Sequence, residues 1–134
     1  MQITVLQEQG NITTLQIAGQ LDGQSYQGLI MKAQEVIGGG AKNIILDMSE
    51  LTYISSAGLV SLHTIALLLR GESVTDPEQG WSAFKSIDRL REGEVQKNVK
   101  LLNPRPEVVS VLDMVGFSTF FEIFTDKQKA IESF

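Results

Sequence analysis

Residues 44 to 59, Ile-Ile-Leu-Asp-Met-Ser-Glu-Leu-Thr-Tyr-Ile-Ser-Ser-Ala-Gly-Leu, restrict the fold of this chain more than any other stretch. Ile44, Ile45 and Leu46 form a short apolar run closed by polar Asp47, the pattern of a strand. After a turn, Ser55 and Ser56 precede Ala57-Gly58-Leu59 and a long apolar segment, so a helix must begin there. A serine at such a junction can cap the unpaired N–H groups of the first helical turn. A phosphate carried on it would sit at the positive end of the helix dipole.

The rest of the chain alternates between the two periods. Strands are predicted at Ile3 to Gln7 and Ile12 to Ala18, joined by a Gly10-Asn11 hairpin signal. After Gly19-Gln-Leu-Asp22 the apolar residues Tyr26, Leu29, Ile30, Ala33, Val36 and Ile37 share one side of a helix that Gly38-Gly39-Gly40 stops, with Asp22 or Ser25 as its N-cap. The central strand is predicted over Asn43 to Asp47 and the following helix over about Ala57 to Arg70, buried on more than one side. A fourth strand at Val99 to Leu102, a helix at Glu107 to Met114, a strand at Phe120 to Phe124 and a terminal helix from Lys127 to Phe134 capped by Asp126 complete the pattern. Strands alternating with helices point to an open α/β sheet.

Residues 71 to 98 depart from this compact alternation. Their first half is polar, and their second half carries Trp81, Phe84, Ile87 and Leu90 at three-residue spacing, one apolar stripe if residues 81 to 91 are helical. Such a stripe must pack on its own domain or on a partner, and its own domain is favoured, because left exposed the stripe would promote aggregation.

Composition removes several classes of function. At 134 residues with 43% hydrophobic content, one domain with an ordinary core is expected over 1–134. There is no cysteine and a single histidine, so neither thiolate chemistry nor a typical zinc site is available, and no cofactor is expected. The net charge of -5 at pH 7 repels phosphate backbones and argues against nucleic acid as a partner. Met1-Gln-Ile-Thr-Val-Leu lacks the basic and long apolar regions of a secretory signal, and Leu59 to Leu69 is too short to span a bilayer, so a cytoplasmic protein without direct membrane insertion is expected.

An enzyme is not expected either. Ser56 and His63 lie about 10 Å apart along one helix, beyond the reach that activation of a nucleophile needs. His63 reads as a partly buried surface residue. Gly38-Gly39-Gly40-Ala41-Lys42 follows a helix and precedes a strand, the reverse of a phosphate-binding loop. Asp22 and Asp47 both fall at predicted strand ends, and in an open α/β sheet the carboxyl ends of the strands line the functional edge.

Gly19-Gln-Leu-Asp22, Leu46-Asp-Met-Ser49, Tyr53-Ile-Ser-Ser-Ala-Gly-Leu59 and Asp113-Met-Val-Gly-Phe117 together resemble the STAS domains, and within them the bacterial anti-sigma-factor antagonists. The resemblance covers roughly residues 1 to 70 and 99 to 134. It implies a single STAS-like α/β domain, with a mixed four- to five-stranded sheet, about four helices and an inserted segment at about 71–98 before the fourth strand. It also implies that Ser56, two residues before the motif glycine, is the phosphoacceptor, and that Asp22, Asp47, Ser55, Ser56 and Gly58 form the partner-binding edge. Antagonists often carry Asp where this chain has Ser55, and the difference removes an acidic group available for a cognate kinase to read. The implied partners are an anti-sigma factor with serine-kinase activity and a serine/threonine phosphatase. The alternative is a STAS module that scaffolds or senses in a signalling assembly or beside a membrane transporter. A small nucleotide-binding protein is a third reading, disfavoured by the missing phosphate loop.

Overall fold

The computed structural model of the chain describes residues 1–71 and 96–134. Five strands and four helices follow one another as β1 (Gln2–Gln7), β2 (Ile12–Leu21), α1 (Tyr26–Gly38), β3 (Asn43–Ile54), α2 (Ser56–Leu69), β4 (Val99–Leu102), α3 (Pro106–Met114), β5 (Ile123–Phe124) and α4 (Lys127–Glu132), with a 3-10 turn at Phe117–Thr119 before β5. The apolar stripe of Trp81, Phe84, Ile87 and Leu90 lies outside the described residues.

The strands form one mixed sheet in chain order, β1-β2-β3-β4-β5. β1 is antiparallel to β2, as a tight hairpin requires, and every later neighbour is parallel. The crossovers leave α1, α2 and α3 on one face. There Leu15, Ile17, Leu46, Met48 and Leu101 of the sheet meet Leu29 and Ile30 of α1, Leu59 and Leu62 of α2, and Val108 and Leu112 of α3. On the other face α4 covers a smaller apolar group, Ile12, Ile45 and Leu102 around Ala130. It is also held by charge: Lys127 pairs with Glu8 at 2.5 Å, and the buried ammonium of Lys100 in β4, itself paired with Glu122 at 2.7 Å, lies 5.4 Å from the ring of Phe134 just beyond the helix.

Two predicted elements change shape. β3 does not stop at Asp47 but runs on to Ile54, absorbing register shifts against β2 between Gln16 and Ala18 and between Gly19 and Gln20. Bulges of this kind conceal a strand, because they break the alternation on which its detection rests. Gly19, at φ +97 with the Met1 backbone 3.5 Å from where a Cβ would stand, is the residue that lets β2 follow the second shift. In place of a strand from Phe120 to Phe124, Phe117, Phe120 and Phe121 fold into the core around the 3-10 turn, and only Ile123 and Phe124 pair with β4.

α2 is buried along its whole first part, from Ala57 to Ala66. Its polar residues are satisfied within the helix: Ser61 Oγ donates to the Gly58 carbonyl at 2.5 Å and Thr64 Oγ1 to the Val60 carbonyl at 2.8 Å. His63 is 3% exposed, a core residue instead of the partly buried surface residue expected from its sequence context. Among the described residues no helix is long and apolar enough to cross a membrane, and no group of three His, Cys, Asp or Glu side chains could hold a metal ion.

Candidate functional site

β2 and β3 end side by side, Leu21 opposite Ile54, and the backbone N–H of Ser55 donates to the Leu21 carbonyl at 2.9 Å. This pairing fixes where α2 begins. Ser55 is the N-cap, in extended conformation, and its hydroxyl accepts the Gly58 N–H at 3.4 Å. Ser56 is thereby the first helical residue, exposed to solvent, with its hydroxyl not consumed by capping. Serine's preference for caps made Ser56 itself a candidate N-cap, and the structure corrects this: the helix begins at Ser56 and the cap is Ser55. The backbone assigns the structural task to Ser55 and leaves Ser56 chemically available.

Gly58 explains how the helix can start so close to the sheet. A Cβ at this position would stand 2.6 Å from Ile54 Cγ1, 2.8 Å from the Leu21 carbonyl oxygen and 3.0 Å from Leu21 Cγ. Gly58 itself is buried, so its part in the site is steric: it lets the first turn of α2 rest on the ends of β2 and β3.

Asp22 follows directly on β2 and is brought to the same edge as Ser55 and Ser56. Its carboxylate accepts the N–H groups of Gln24 (3.0 Å) and Ser25 (3.2 Å). The Ser25 hydroxyl accepts from Asp22 N–H at 2.9 Å and donates to the Gln20 carbonyl at 2.9 Å, with Asp22 Oδ1 3.1 Å away. The Gln24 hydrogen bond, followed by those from Ser25, outweighs desolvation and holds the Asp22 carboxyl below its ordinary pKa. The edge therefore carries a fixed negative charge at neutral pH. Ser25 occupies the N-cap position of α1 without a side-chain capping bond, because its hydroxyl is spent on this turn.

Asp47 does not join them. With β3 extended to Ile54, Asp47 lies in mid-strand opposite Gln16, about 16 Å along the sheet from the Leu21–Ile54 end. Its Oδ1 accepts the Ser49 N–H (3.0 Å) and hydroxyl (2.8 Å) and braces the first bulge. Arg105 adds a second brace there, donating from Nε to the Ser49 carbonyl at 3.0 Å. The expectation that Asp47 closes a strand at the functional edge is thus corrected, and the reason is the bulged continuation of β3.

One residue at the edge escaped the sequence reading. Tyr53 is 50% exposed, three residues before Ser56 and opposite Gln20. Thr52, beside it, is also exposed and donates to the Gly19 carbonyl at 3.0 Å. The signal was present: buried Leu51 and Ile54 are three positions apart where an unbroken strand would space them by two or four.

The arrangement suits contact with a macromolecule. Among the described residues strand order follows chain order, so no reversal there opens the kind of crevice in which small ligands lodge in doubly wound sheets. What remains at the carboxyl edge is a rim: an exposed hydroxyl on a rigid helix, a fixed carboxylate and an aromatic ring.

No curated protein matches the chain in sequence. The solved structure of the anti-sigma-factor antagonist SpoIIAA in its unphosphorylated form is similar to it, with a TM-score of 0.63 at 20% identity over 98% of this chain and 94% of that one. The phosphorylated form of the Bacillus cell-fate determinant SpoIIAA is similar at 0.58, with 16% identity over 98% and 97%. An anti-sigma-factor antagonist from Mycobacterium paratuberculosis reaches 0.66 with 13% identity over 98% and 93%. At these identities the likeness is one of fold. The family model of the STAS domain matches residues 4–75, more than half of the sequence, and the chain belongs to the STAS domain family.

Proposed function

We propose that this STAS domain is a phosphorylation-switched anti-sigma-factor antagonist of the cytoplasm. Unphosphorylated, it binds an anti-sigma factor with serine-kinase activity and so frees a sigma factor; phosphorylated on Ser56, it lets go, and a serine/threonine phosphatase resets it. The domain is the substrate of these reactions and carries out none of them. Asp22, Ser55, Ser56 and Tyr53 are the contact residues, seated by Gly58.

The observation that carries this reading is the division of labour between the two serines: an exposed Ser56 hydroxyl at the first position of a helix whose cap is supplied by its neighbour. A phosphate there adds about -1.5 to -2 charges without removing a structural hydrogen bond. The helix N-terminus receives it favourably. The fold is preserved while the rim becomes larger and more negative.

The test combines phosphosite mapping, after incubation with a cognate kinase and ATP, with partner titrations. Phosphate is expected on Ser56. Ser56→Ala is expected to bind constitutively and Ser56→Asp at least about tenfold more weakly, because the interface must bury an unpaired charge. Phosphate found only on Ser55, or equal affinities for the two Ser56 variants, would remove Ser56 as the switch. Recovery of a transporter subunit with no kinase-fold partner would favour the scaffold reading instead.

A further inference from the structure

Among the described residues, β1 is an outer strand whose free edge has none of the usual protection. Its inner edge pairs with β2 from Gln2 to Gln7 without a shift in register. Its outer edge carries no strand among the described residues. Natural edges are blunted by Lys, Pro, a bulge or a covering segment. Gln2-Ile-Thr-Val-Leu-Gln7 contains no charge and no proline, and no bulge interrupts it. The opposite edge is different, since β5 is only two residues long.

The direction of the free backbone groups follows from one bond. Glu8 N–H donates to the Ile12 carbonyl at 3.0 Å, so in this antiparallel ladder the even-numbered residues turn their N–H and C=O toward β2. Ile3, Val5 and Gln7 therefore turn theirs outward. Val5 is 42% exposed, beside a groove of about 430 Å³ lined by Val5, Gln7, Thr13, Val36, Gly39 and Ala41.

We propose that this edge is an interface between two copies of the chain, β1 pairing antiparallel with β1 about a two-fold axis through Val5 to give one continuous sheet. The register follows from symmetry. A two-fold axis perpendicular to the sheet keeps the helix-covered face on one side, so only residues of like parity can face each other. With Val5 opposite Val5, Ile3 faces Gln7, and the outward groups of Ile3, Val5 and Gln7 are all engaged in both copies. An axis through Thr4 would leave Gln7 opposite Met1, outside the strand. In the Val5 register Thr4 faces Leu6 and Gln2 faces Glu8, so no like charges meet, which matters for a chain of net charge -5. The second strand also closes the groove beside Val5. Because the axis reverses strand direction, the two Ser56 rims point away from each other and both stay open.

The interface does not depend on the switch reading, and its test uses the full chain. Light scattering or sedimentation should show the mass rising with concentration from 14.7 kDa to twice that value. Val5→Lys, which sets two ammonium groups on the axis, and Val5→Pro, which deletes an outward N–H that the monomer does not use, should each remain monomeric. Val5→Cys, in a chain with no other cysteine, should form a disulfide dimer on mild oxidation, since facing residues of a hydrogen-bonded pair stand about 5.5 Å apart at Cα. Ile3→Cys should not. A monomer at every soluble concentration, or a dimer untouched by both Val5→Lys and Val5→Pro, would overturn the proposal. So would a monomer whose β1 amides gain exchange protection only when a foreign extended peptide is added, which would give the edge to another protein.

Discussion

Alanine at Gly58 and alanine at Gly28 should have opposite effects, although both glycines are helical. In α1, Gly28 is exposed and a Cβ there meets nothing within 4 Å. Gly28→Ala should therefore gain about 0.5 to 1 kcal/mol, the ordinary helix preference for alanine. At Gly58 the same preference is opposed by contacts of 2.6 to 3.0 Å, one of them with a backbone carbonyl oxygen that cannot rotate away. Raising the 2.8 Å contact with Leu21 O to an ordinary 3.4 Å requires α2 to retreat by 3.4 − 2.8 = 0.6 Å. That movement pulls on the Ser55 N–H to Leu21 carbonyl bond and on the packing of Ile54. Overpacking costs about 1 to 3 kcal/mol, and a clash with a fixed backbone oxygen belongs in the upper part of that range, about 2 to 3, so the net loss should be about 1 to 2 kcal/mol after an alanine preference of about 1 kcal/mol is subtracted. At about 4 °C per kcal/mol for a domain of this size, Gly58→Ala should melt about 4 to 8 °C lower and Gly28→Ala about 2 to 4 °C higher. Urea unfolding should show both as changes in midpoint at constant slope. A Gly58→Ala protein as stable as the parent would refute the close approach and, with it, the account of how Ser56 is seated.

Ser55→Ala should lose about 0.5 to 1 kcal/mol in urea unfolding, low in the capping range because the bond is 3.4 Å long, whereas Ser56→Ala should stay within about 0.5 kcal/mol of the parent. Glu8 is desolvated, yet hydrogen bonds from Lys127 and Thr14 and the Lys127 charge hold its carboxyl below the ordinary value. Its contribution is thus present at neutral pH and lost as pH falls through the lowered folded value, and Glu8→Gln should flatten the decline of stability with pH on the acid side of the ordinary glutamate range. Glu122→Ala should destabilise by about 1 to 3 kcal/mol by leaving the Lys100 ammonium buried against Phe134 alone, while Lys100→Met, similar in volume and uncharged, should fall closer to the parent in the same assay.

What could be read from the sequence divides along physical lines. α1 and α2 announced themselves through apolar spacing, and a glycine run after Ile37 and a serine pair before Ala57 marked their ends, because those signals are local. β3 was cut short at Asp47 because its bulges place exposed Thr52 and Tyr53 together, and a period-two test reads that as a turn. Phe120 and Phe121 look like strand residues by propensity but are claimed by the core, an outcome set by tertiary packing. At the site, the motif drew attention to Asp22, Ser55, Ser56 and Gly58. The choice between the serines depended on the Ser55 bond to Leu21, a contact between distant segments. Asp47 was misplaced for the same reason β3 was.

The sequential order of the sheet bears on how the protein is made. Each strand docks only on the one synthesised just before it, so no strand must wait for a partner still to emerge from the ribosome. By the time Leu69 has appeared, the β1-β2 hairpin, α1, β3 and α2 can already bury Leu15, Ile17, Leu29, Ile44, Leu46, Leu59 and Leu62 against one another. β4 then joins an existing template across residues 70 to 98, and the entropy of closing so long a connection grows only with the logarithm of its length. A segment placed between α2 and β4 is therefore tolerated by the assembly line: it delays the last part of the sheet without disturbing the part that seats Ser56.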